Sequence, residues 1–259
     1  MRRAPLSAAA MLAVAALLVP LASAEVSQKR GVRVSVNGSL QPSKLPRHGT
    51  APVAVSFSGE VGSTKADGPP QLEKISIAIN RNGRLDTRGL PRCRMSDIDP
   101  STTREAIAAC RSSLIGDGSF SANVKLPEQS PFPSKGEVLA FNGRLHGRPA
   151  VFAHIFGTKP VPTSIVLPFE ITSTGGTFGT VLTASLPRVT GEWGYVTGLA
   201  MTLKRQFSYR GKSRSYMSAG CPAPAGFRQV FFPLARTSFS FEGGLTVTST
   251  LTRSCRVRG

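Results

Sequence analysis

The sequence lacks the short motifs that identify most enzyme families. It contains no G-x-S-x-G, H-E-x-x-H or G-x-x-x-x-G-K segment, and these are the signatures of serine hydrolases, zinc proteases and phosphate-binding loops. The glycine-rich segment from Gly175 to Thr180 has no lysine after it, so we interpret it as a turn that leads into a strand. No catalytic residue is therefore predicted.

Metal-binding patterns are also absent. The chain has 3 histidines and 4 cysteines, with no C-x-x-C pair and no cluster that combines the two residue types. Structural metal sites need several such ligands at short spacings, so neither a metal nor another cofactor is predicted. His154 lies within the apolar segment Val151–Phe156, and we expect it to be a hydrogen-bonded core or edge residue.

Long apolar runs are missing except at the N-terminus, and no other segment is long enough to span a bilayer. The chain starts with two arginines near the first residue, followed by an apolar run over residues 8–21 and small residues at 22–24. This order is typical of a secretory signal peptide. We predict that residues 1–24 are cleaved before Glu25 and that the protein is secreted or located in the cell envelope. An uncleaved anchor helix is the alternative.

The export signal determines how the cysteines are interpreted. An even number of cysteines in an exported chain indicates disulfides. Three pairings of the four cysteines exist, and we favour the pairing of sequence neighbours, Cys93 with Cys110 and Cys221 with Cys255. The alternative is a metal site, which the lack of C-x-x-C spacing disfavours.

Acidic residues are scarce. The chain has 14 Asp and Glu against 32 Lys and Arg, a formal charge of +18 that becomes +16 when Arg2 and Arg3 leave with the signal peptide. The excess is concentrated in residues 201–259, which carry ten basic side chains and one acidic side chain, Glu242. The positive electrostatic field that this excess of basic residues creates favours anionic partners such as cell-wall polymers, acidic polysaccharide or lipid head groups. A compositional preference for arginine, without any partner, is the alternative.

The sequence shows neither βαβ alternation nor a repeat of fixed period. About ten short segments of alternating apolar residues, separated by turns, predict an all-β fold. We expect an antiparallel β-sandwich, or a barrel-like variant of it. One segment differs, because Thr102 and Glu105 have the spacing of a capping box before alanine-rich residues. It predicts a short helix near residues 102–112, held to the sheet by the first disulfide.

The sequence also predicts how the chain is divided. Residues 25–50 are expected to form an N-terminal arm, and residues 51–259 a single β-sandwich domain. The proline-rich stretch at 127–135 is the best internal boundary. It either joins two small β units or forms a long loop within one sandwich.

The clearest candidate for a binding site is a basic segment, Lys204–Tyr216, in which cations alternate with aromatic rings. It predicts a β-hairpin that turns near Arg210 and Gly211. Cations beside stacking rings are typical of single-stranded nucleic-acid binding, but export makes an anionic glycan or envelope surface the expected partner, and no nucleic acid is expected. A solvated hairpin without a ligand is the alternative. The candidate ligand-binding residues are Lys204, Arg205, Tyr209, Arg210, Lys212, Arg214 and Tyr216.

Two glutamates support a different hypothesis, a carbohydrate-active enzyme. Glu170 lies among apolar residues, and Glu192 precedes Trp193, the only tryptophan. Glycoside hydrolysis uses two carboxyl groups about 5–10 Å apart, so the hypothesis requires both in one cleft. The alternative is that each glutamate pairs with an arginine.

Three segments are similar to segments of uncharacterised secreted β proteins of high-GC bacteria: Leu139–Gly143, Ser218–Pro224 and Leu251–Cys255. The resemblance covers most of the chain after the signal peptide, and it implies a secreted β protein without a known activity or known site residues. Together, the sequence predicts an exported, disulfide-stabilised β protein that binds or structures an anionic envelope component and is not an enzyme.

Overall fold

The computed structural model describes residues 24–126, 128–187 and 194–258. Of the predicted signal peptide only Ala24 falls within these ranges, so that prediction lies outside the described residues. Glu192 and Trp193, on which the enzyme hypothesis depends, also lie outside them.

Within these ranges the fold is all-β and mainly antiparallel with one short α-helix, which confirms the predicted fold class. The strands are β1 Glu25–Lys29, β2 Val32–Gln41, β3 Lys44–Leu45, β4 Ala51–Pro52, β5 Ala54–Ser63, β6 Leu72–Asn80, β7 Gly83–Leu85, β8 Leu114–Val124, β9 Phe132–Leu145, β10 Arg148–Gly157, β11 Thr163–Ser173, β12 Phe178–Ser185, β13 Gly194–Leu203, β14 Gln206–Tyr209, β15 Lys212–Ser215, β16 Met217–Ala219, β17 Gln229–Phe241 and β18 Leu245–Val257. The α-helix, α1, is Thr103–Cys110, and 3-10 turns occur at Met95–Asp97, Arg111–Ser113 and Glu242–Gly244.

Most strands belong to one 13-stranded sheet, in the order β1-β2-β5-β13-β8-β9-β10-β11-β12-β6-β17-β18-β3. Strands β8 to β12 form a meander, whereas β13 returns to lie between β5 and β8. The sheet curls so far that β1 and β2 contact β18, near its other edge. Its two halves therefore face each other across a shared core, as the two layers of a sandwich do.

The alternation of buried and exposed side chains along the strands explains this core. In β2, Val32, Val34 and Val36 are buried, and the residues between them are more exposed. Strand β18 repeats the pattern with Leu245 and Val247. Because successive side chains of a strand point to opposite faces, each strand contributes one apolar face to the inside of the curl.

The helix covers a second apolar cluster, on the outer face of β9 and β10. Phe152 in this cluster packs with residues of α1 and of the loop before it. A capping box fixes the start of the helix, since the Thr102 hydroxyl accepts from the Glu105 amide and the Glu105 carboxylate accepts from the Thr102 amide. The disulfide between Cys93 and Cys110 joins the end of α1 to the preceding loop. The structure thus contains the predicted helix and the predicted bridge.

The second bridge joins Cys221, which follows β16, to Cys255 in β18. Both predicted pairings are confirmed, and all four cysteines are used. The chain is therefore a disulfide-stabilised β protein, which fits an extracytoplasmic location.

Residues 25–50, which the sequence predicts as an arm, contain β1, β2 and β3, and all three strands pair within the main sheet. Of the predicted boundary at 127–135, residues 128–131 precede β9 and residues 132–135 form its first part. Strands β8 and β9 pair with each other from Leu114 opposite Phe141 to Val124 opposite Phe132. The division of the chain into domains stays a prediction.

Candidate functional site

The basic segment forms the predicted hairpin. Strands β14 and β15 pair from Gln206 opposite Ser215 to Tyr209 opposite Lys212. Arg210 and Gly211 make the turn, with φ of 50° and 71°. Positive φ at both central residues is typical of the two-residue turn that matches the twist of a hairpin, so this short and strongly basic segment folds locally.

The tip of the hairpin carries two exposed cations, Arg210 and Lys212. The half-buried ring of Tyr209 lies beside them, with the Arg210 guanidinium 5.2 Å and the Arg214 guanidinium 5.5 Å from its centroid. Such contacts stabilise a cation over an aromatic ring. Tyr209 therefore orders the two arginines on one side of the hairpin.

A carboxylate outside the hairpin holds its base. Asp86 accepts from Arg214 Nη1 at 2.7 Å and from Arg88 Nε at 3.0 Å. The hydrogen bond from Arg88 is the main reason that the pKa of Asp86 falls from 3.8 to about 2, and Arg214 lowers it further. Asp86 thus stays ionised and fixes two guanidinium groups beside Tyr209.

The loop that carries Asp86 also supports the aromatic ring. Gly89 packs directly against Tyr209, since a Cβ atom at this position would lie 2.0 Å from Cδ2 of the ring. Gly89 has φ of +78°, a conformation that favours glycine. Asp86, Arg88 and Gly89 belong to the site but were not predicted, because they lie far from the hairpin in the sequence.

The remaining candidate cations differ in their surroundings. The exposed Lys204 forms an ion pair with Asp117, with Nζ 2.9 Å from Oδ1. The half-buried Arg205 donates from Nη2 to the Ser112 carbonyl at 3.4 Å. We call the whole group the basic patch: Arg88, Lys204, Arg205, Arg210, Lys212 and Arg214. Among the residues that the structure describes, it contacts two carboxylates, those of Asp86 and Asp117, and so retains a positive charge.

Tyr216 is the one predicted site residue that the structure places elsewhere. Its side chain has 0% exposure and belongs to the core. Burial raises the pKa of its phenol. The backbone explains the position, because the Tyr216 amide donates to the Arg205 carbonyl at 2.8 Å and its carbonyl accepts from the Asp86 amide at 2.9 Å. The ring therefore cannot stack with a ligand at the hairpin.

The hairpin continues directly into the wall of an apolar cavity inside the curled sheet. Leu203 precedes the hairpin and Met217 follows it, and both line the cavity. Its volume is about 100 Å³. The sequence does not predict this cavity, whose lining includes three small residues, Gly83, Ala219 and Ala235. The lining residues are Leu40, Val53, Val55, Ser56, Phe57, Ile77, Ile79, Gly83, Val151, Phe169, Leu182, Leu199, Met201, Leu203, Met217, Ser218, Ala219, Leu234, Ala235 and Leu251.

His154 is fully buried beneath the residues that precede α1. Its Nε2 lies 2.9 Å from the Ser101 carbonyl oxygen, 3.1 Å from the Ser101 hydroxyl and 3.3 Å from the Ser164 hydroxyl. This is the hydrogen-bonded buried histidine that the sequence predicts. A serine beside a histidine also occurs in hydrolases, but this pair is covered and lies away from the cavity.

Glu170 points away from the cavity, because its neighbour Phe169 lines it and alternate residues face opposite sides. Glu170 Oε1 lies 3.5 Å from Nδ1 of the exposed His146. Its proposed partner, Glu192, lies outside the described residues. The carbohydrate-active enzyme stays a prediction that no observed contact favours.

Comparison of the chain with models of protein families, with curated proteins and with solved structures finds no match. Within the described ranges, no group of three or more His, Cys, Asp or Glu side chains is placed to hold a metal ion. In the same ranges, no helix has the length and apolar character needed to cross a membrane. The functional argument therefore depends on local features such as the basic patch.

Proposed function

We propose that the protein is an exported, non-enzymatic binding protein that holds an anionic component of the cell envelope at the basic patch. The observation that carries the proposal is the exposure of Arg210 and Lys212 at the tip of an ordered hairpin. Within the described residues, neither side chain has a carboxylate partner. Both are free to contact an anion.

The surrounding contacts make this surface suitable for a polyanion rather than for a single ion. Asp86 and Asp117 hold cations at the base of the hairpin, while the tip stays free. Tyr209 supplies an amphipathic ring between the arginines, and aromatic rings of this kind stack on sugars as well as on bases. A chain of repeated anionic groups can contact several members of the patch at once.

The envelope is preferred over nucleic acid because of where the protein is predicted to act. The signal peptide and the disulfides support an extracytoplasmic location, where anionic glycans and lipid head groups are the abundant polyanions. Attraction of this kind is electrostatic and weakens as salt rises. Salt dependence is therefore the first measurement to make.

The test is retention of the purified mature protein on immobilised polygalacturonate, an acidic polysaccharide, and on uncharged dextran, during a rising salt gradient. We expect salt-sensitive retention on the acidic polymer alone. The double variant Arg210→Ala, Lys212→Ala should elute at clearly lower salt. Tighter and salt-sensitive retention on single-stranded DNA would contradict the envelope assignment.

A matched control separates the hairpin from the charge of the whole molecule. Arg144 and Arg148 are exposed and flank the turn between β9 and β10, where His146 and Gly147 also have positive φ. The variant Arg144→Ala, Arg148→Ala removes the same charge from another hairpin. Equal loss of retention in both double variants, or no retention at all, would refute a site at the basic patch.

A further inference from the structure

Two phenylalanines are exposed near the start of β17. Phe227 is 62% exposed and Phe231 is 72% exposed, more than any other large apolar side chain in the described ranges. Only three residues separate them in the sequence. Single exposed apolar side chains are common on protein surfaces, whereas neighbouring ones mark interaction sites. The two rings are therefore candidates for contact with a partner.

The strand register places Phe231 on the outer face of the sheet. It lies opposite Ser254 of β18, and Gln229 lies opposite Arg256. Opposite residues of paired strands share a face, and diagonal neighbours are about 7–8 Å apart, so Phe231 and Arg256 are close together on the surface. The next side chain, Phe232, is buried in the core. Phe231 therefore faces away from the core.

Four exposed cations lie on the strands and the loop around the two rings: Lys44, Arg228, Arg256 and Arg258. Lys44 of β3 pairs with Arg256 of β18 along the backbone. Within the described residues, none of the four cations has a carboxylate partner. Residues 41–50 and 220–241 contain neither Asp nor Glu. We call this surface, the two rings together with the four cations, the aromatic edge.

The backbone that carries the rings is tied to its surroundings. Arg47 Nη1 donates to the Ala223 carbonyl at 3.0 Å, and its Nη2 donates to the Phe227 carbonyl at 2.9 Å. The Val257 amide donates to the Arg228 carbonyl at 2.8 Å. These contacts hold the loop before β17 against β18 and against the segment after β3. The aromatic edge is therefore an ordered surface.

The residue types at the aromatic edge indicate what the partner must contain. Cations without nearby carboxylates attract an anionic partner, and exposed rings are covered most favourably by an apolar layer. A soluble polysaccharide supplies charge with little apolar surface, and a second copy of the chain would bring cations against the same cations. An anionic lipid bilayer supplies both features, because charged head groups lie directly above acyl chains.

We propose that the aromatic edge docks the protein on the surface of an anionic lipid bilayer. Phe227 and Phe231 enter the boundary between head groups and acyl chains, and the four cations contact lipid phosphates. The aromatic edge shares no residue with the basic patch, so this inference does not depend on the proposed function.

The experiment is sedimentation of the purified mature protein with vesicles of phosphatidylglycerol, which is anionic, and of phosphatidylcholine, which has no net charge, at rising salt. We expect salt-sensitive binding to phosphatidylglycerol alone. Phe231→Ser should weaken this binding about tenfold, because the ring no longer buries apolar area in the bilayer. Arg256→Gln should weaken it about fivefold, the effect of one cation near an anionic surface.

The matched control is Val161→Ser, because Val161 is 61% exposed and lies in the connection between β10 and β11. The pairing from β11 through β12 and β6 to β17 places the start of β17 at the opposite end of β11. Val161→Ser should leave binding to phosphatidylglycerol unchanged. Equal affinity of Phe231→Ser, Val161→Ser and the unmodified protein would overturn the docking surface, as would equal binding to both kinds of vesicle.

A second measurement detects insertion of the ring itself. Phe231→Trp places an indole at the aromatic edge of a chain that has one other tryptophan. Phosphatidylglycerol brominated in its acyl chains should quench the fluorescence of this variant more than that of the unmodified protein, and Val161→Trp should show no such excess. Sedimentation without excess quenching in Phe231→Trp would overturn insertion of the ring.

The outcomes separate this inference from the proposed function. Adding Arg210→Ala and Lys212→Ala to Phe231→Trp should leave the excess quenching in place. Retention on polygalacturonate without binding to phosphatidylglycerol vesicles would refute bilayer docking and leave the basic patch standing. Vesicle binding that Arg210→Ala with Lys212→Ala abolishes, and that Phe231→Ser leaves unchanged, would refute the aromatic edge and assign the lipid to the basic patch.

Discussion

Arg253 and Glu25 join the two ends of the curled sheet, with Nη1 of Arg253 2.9 Å from Oε1 of Glu25. Arg253 also donates from Nε to the Gly38 carbonyl and from Nη2 to Asn37 Oδ1, both at 2.7 Å. One guanidinium from β18 therefore contacts both β1 and β2. Strands β1 and β2 lie at one end of the hydrogen-bonded strand order, and β18 lies near the other end. The side-chain contacts of Arg253 therefore join two parts of the sheet that no backbone hydrogen bonds connect directly.

The first prediction concerns this contact. The side chains of Arg253 and Glu25 are 14% and 29% exposed, so the guanidinium is largely shielded from water. Replacing Arg253 by Ala removes several charge-assisted hydrogen bonds and should lower the free energy of unfolding by about 2 kcal/mol. Urea unfolding measures this change. Arg256→Ala, an exposed arginine on the same strand, is the control, and an equal loss there would contradict a specific role for Arg253.

The second prediction concerns the bridge between Cys221 and Cys255, which closes a loop with a sequence separation of 34. Replacing both residues by Ser should lower the free energy of unfolding by about 4 kcal/mol, against about 3 kcal/mol for the shorter bridge, on the loop-entropy model. Thermal unfolding of the two double variants compares them. The second bridge joins β18 to the segment after β16. Its loss should therefore also reduce the protection of backbone amides against hydrogen exchange in both of these segments. Unchanged protection at both ends of the bridge would contradict this account.

The third prediction concerns how Tyr209 is held. Gly89→Ala introduces both an unfavourable φ of +78° and a clash with the Tyr209 ring, whereas Gly147→Ala introduces a similar φ where nothing lies within 4 Å. The positive φ alone makes alanine less favourable than glycine by about 1–2 kcal/mol. Gly89→Ala should therefore be less stable than Gly147→Ala in urea, and it should lose retention on polygalacturonate as the ring moves. Equal effects of the two variants would show that Gly89 does not position the ring.

Local patterns were sufficient to predict the parts of the fold that depend on near neighbours. The strands follow from alternation such as Val32, Val34 and Val36, and α1 follows from the capping box at Thr102. The hairpin turn at Arg210 follows from the glycine after it. The disulfides were predictable because short loops cost the least entropy to close and because each pair joins elements that are close in the chain.

The cavity and the support of the basic patch could not be predicted in this way. The cavity exists because β13 returns between β5 and β8 and because the sheet curls, and both depend on pairings between distant segments. Asp86 reaches Arg214 only through the same long-range arrangement. Tyr216 shows the limit of composition, since it lies between β15 and β16, where the chain enters the core and Ser215, Tyr216 and Met217 are all buried.

The last prediction is a pH dependence at Asp86. Its folded pKa of about 2 lies below the ordinary value of 3.8, so the ionised carboxylate is favoured in the folded state. Its contribution to stability is complete above the unfolded pKa and is lost as the pH falls from about 4 towards about 2. The difference in unfolding free energy between the unmodified protein and Asp86→Asn should therefore be largest near neutral pH and should shrink through this range, as urea titrations at several pH values can measure. Arg88→Gln removes the largest cause of the shift and should raise the carboxyl pKa in an NMR titration, whereas the exposed Arg84→Gln should not. A difference between the unmodified protein and Asp86→Asn that stays constant down to about pH 2 would contradict the assignment.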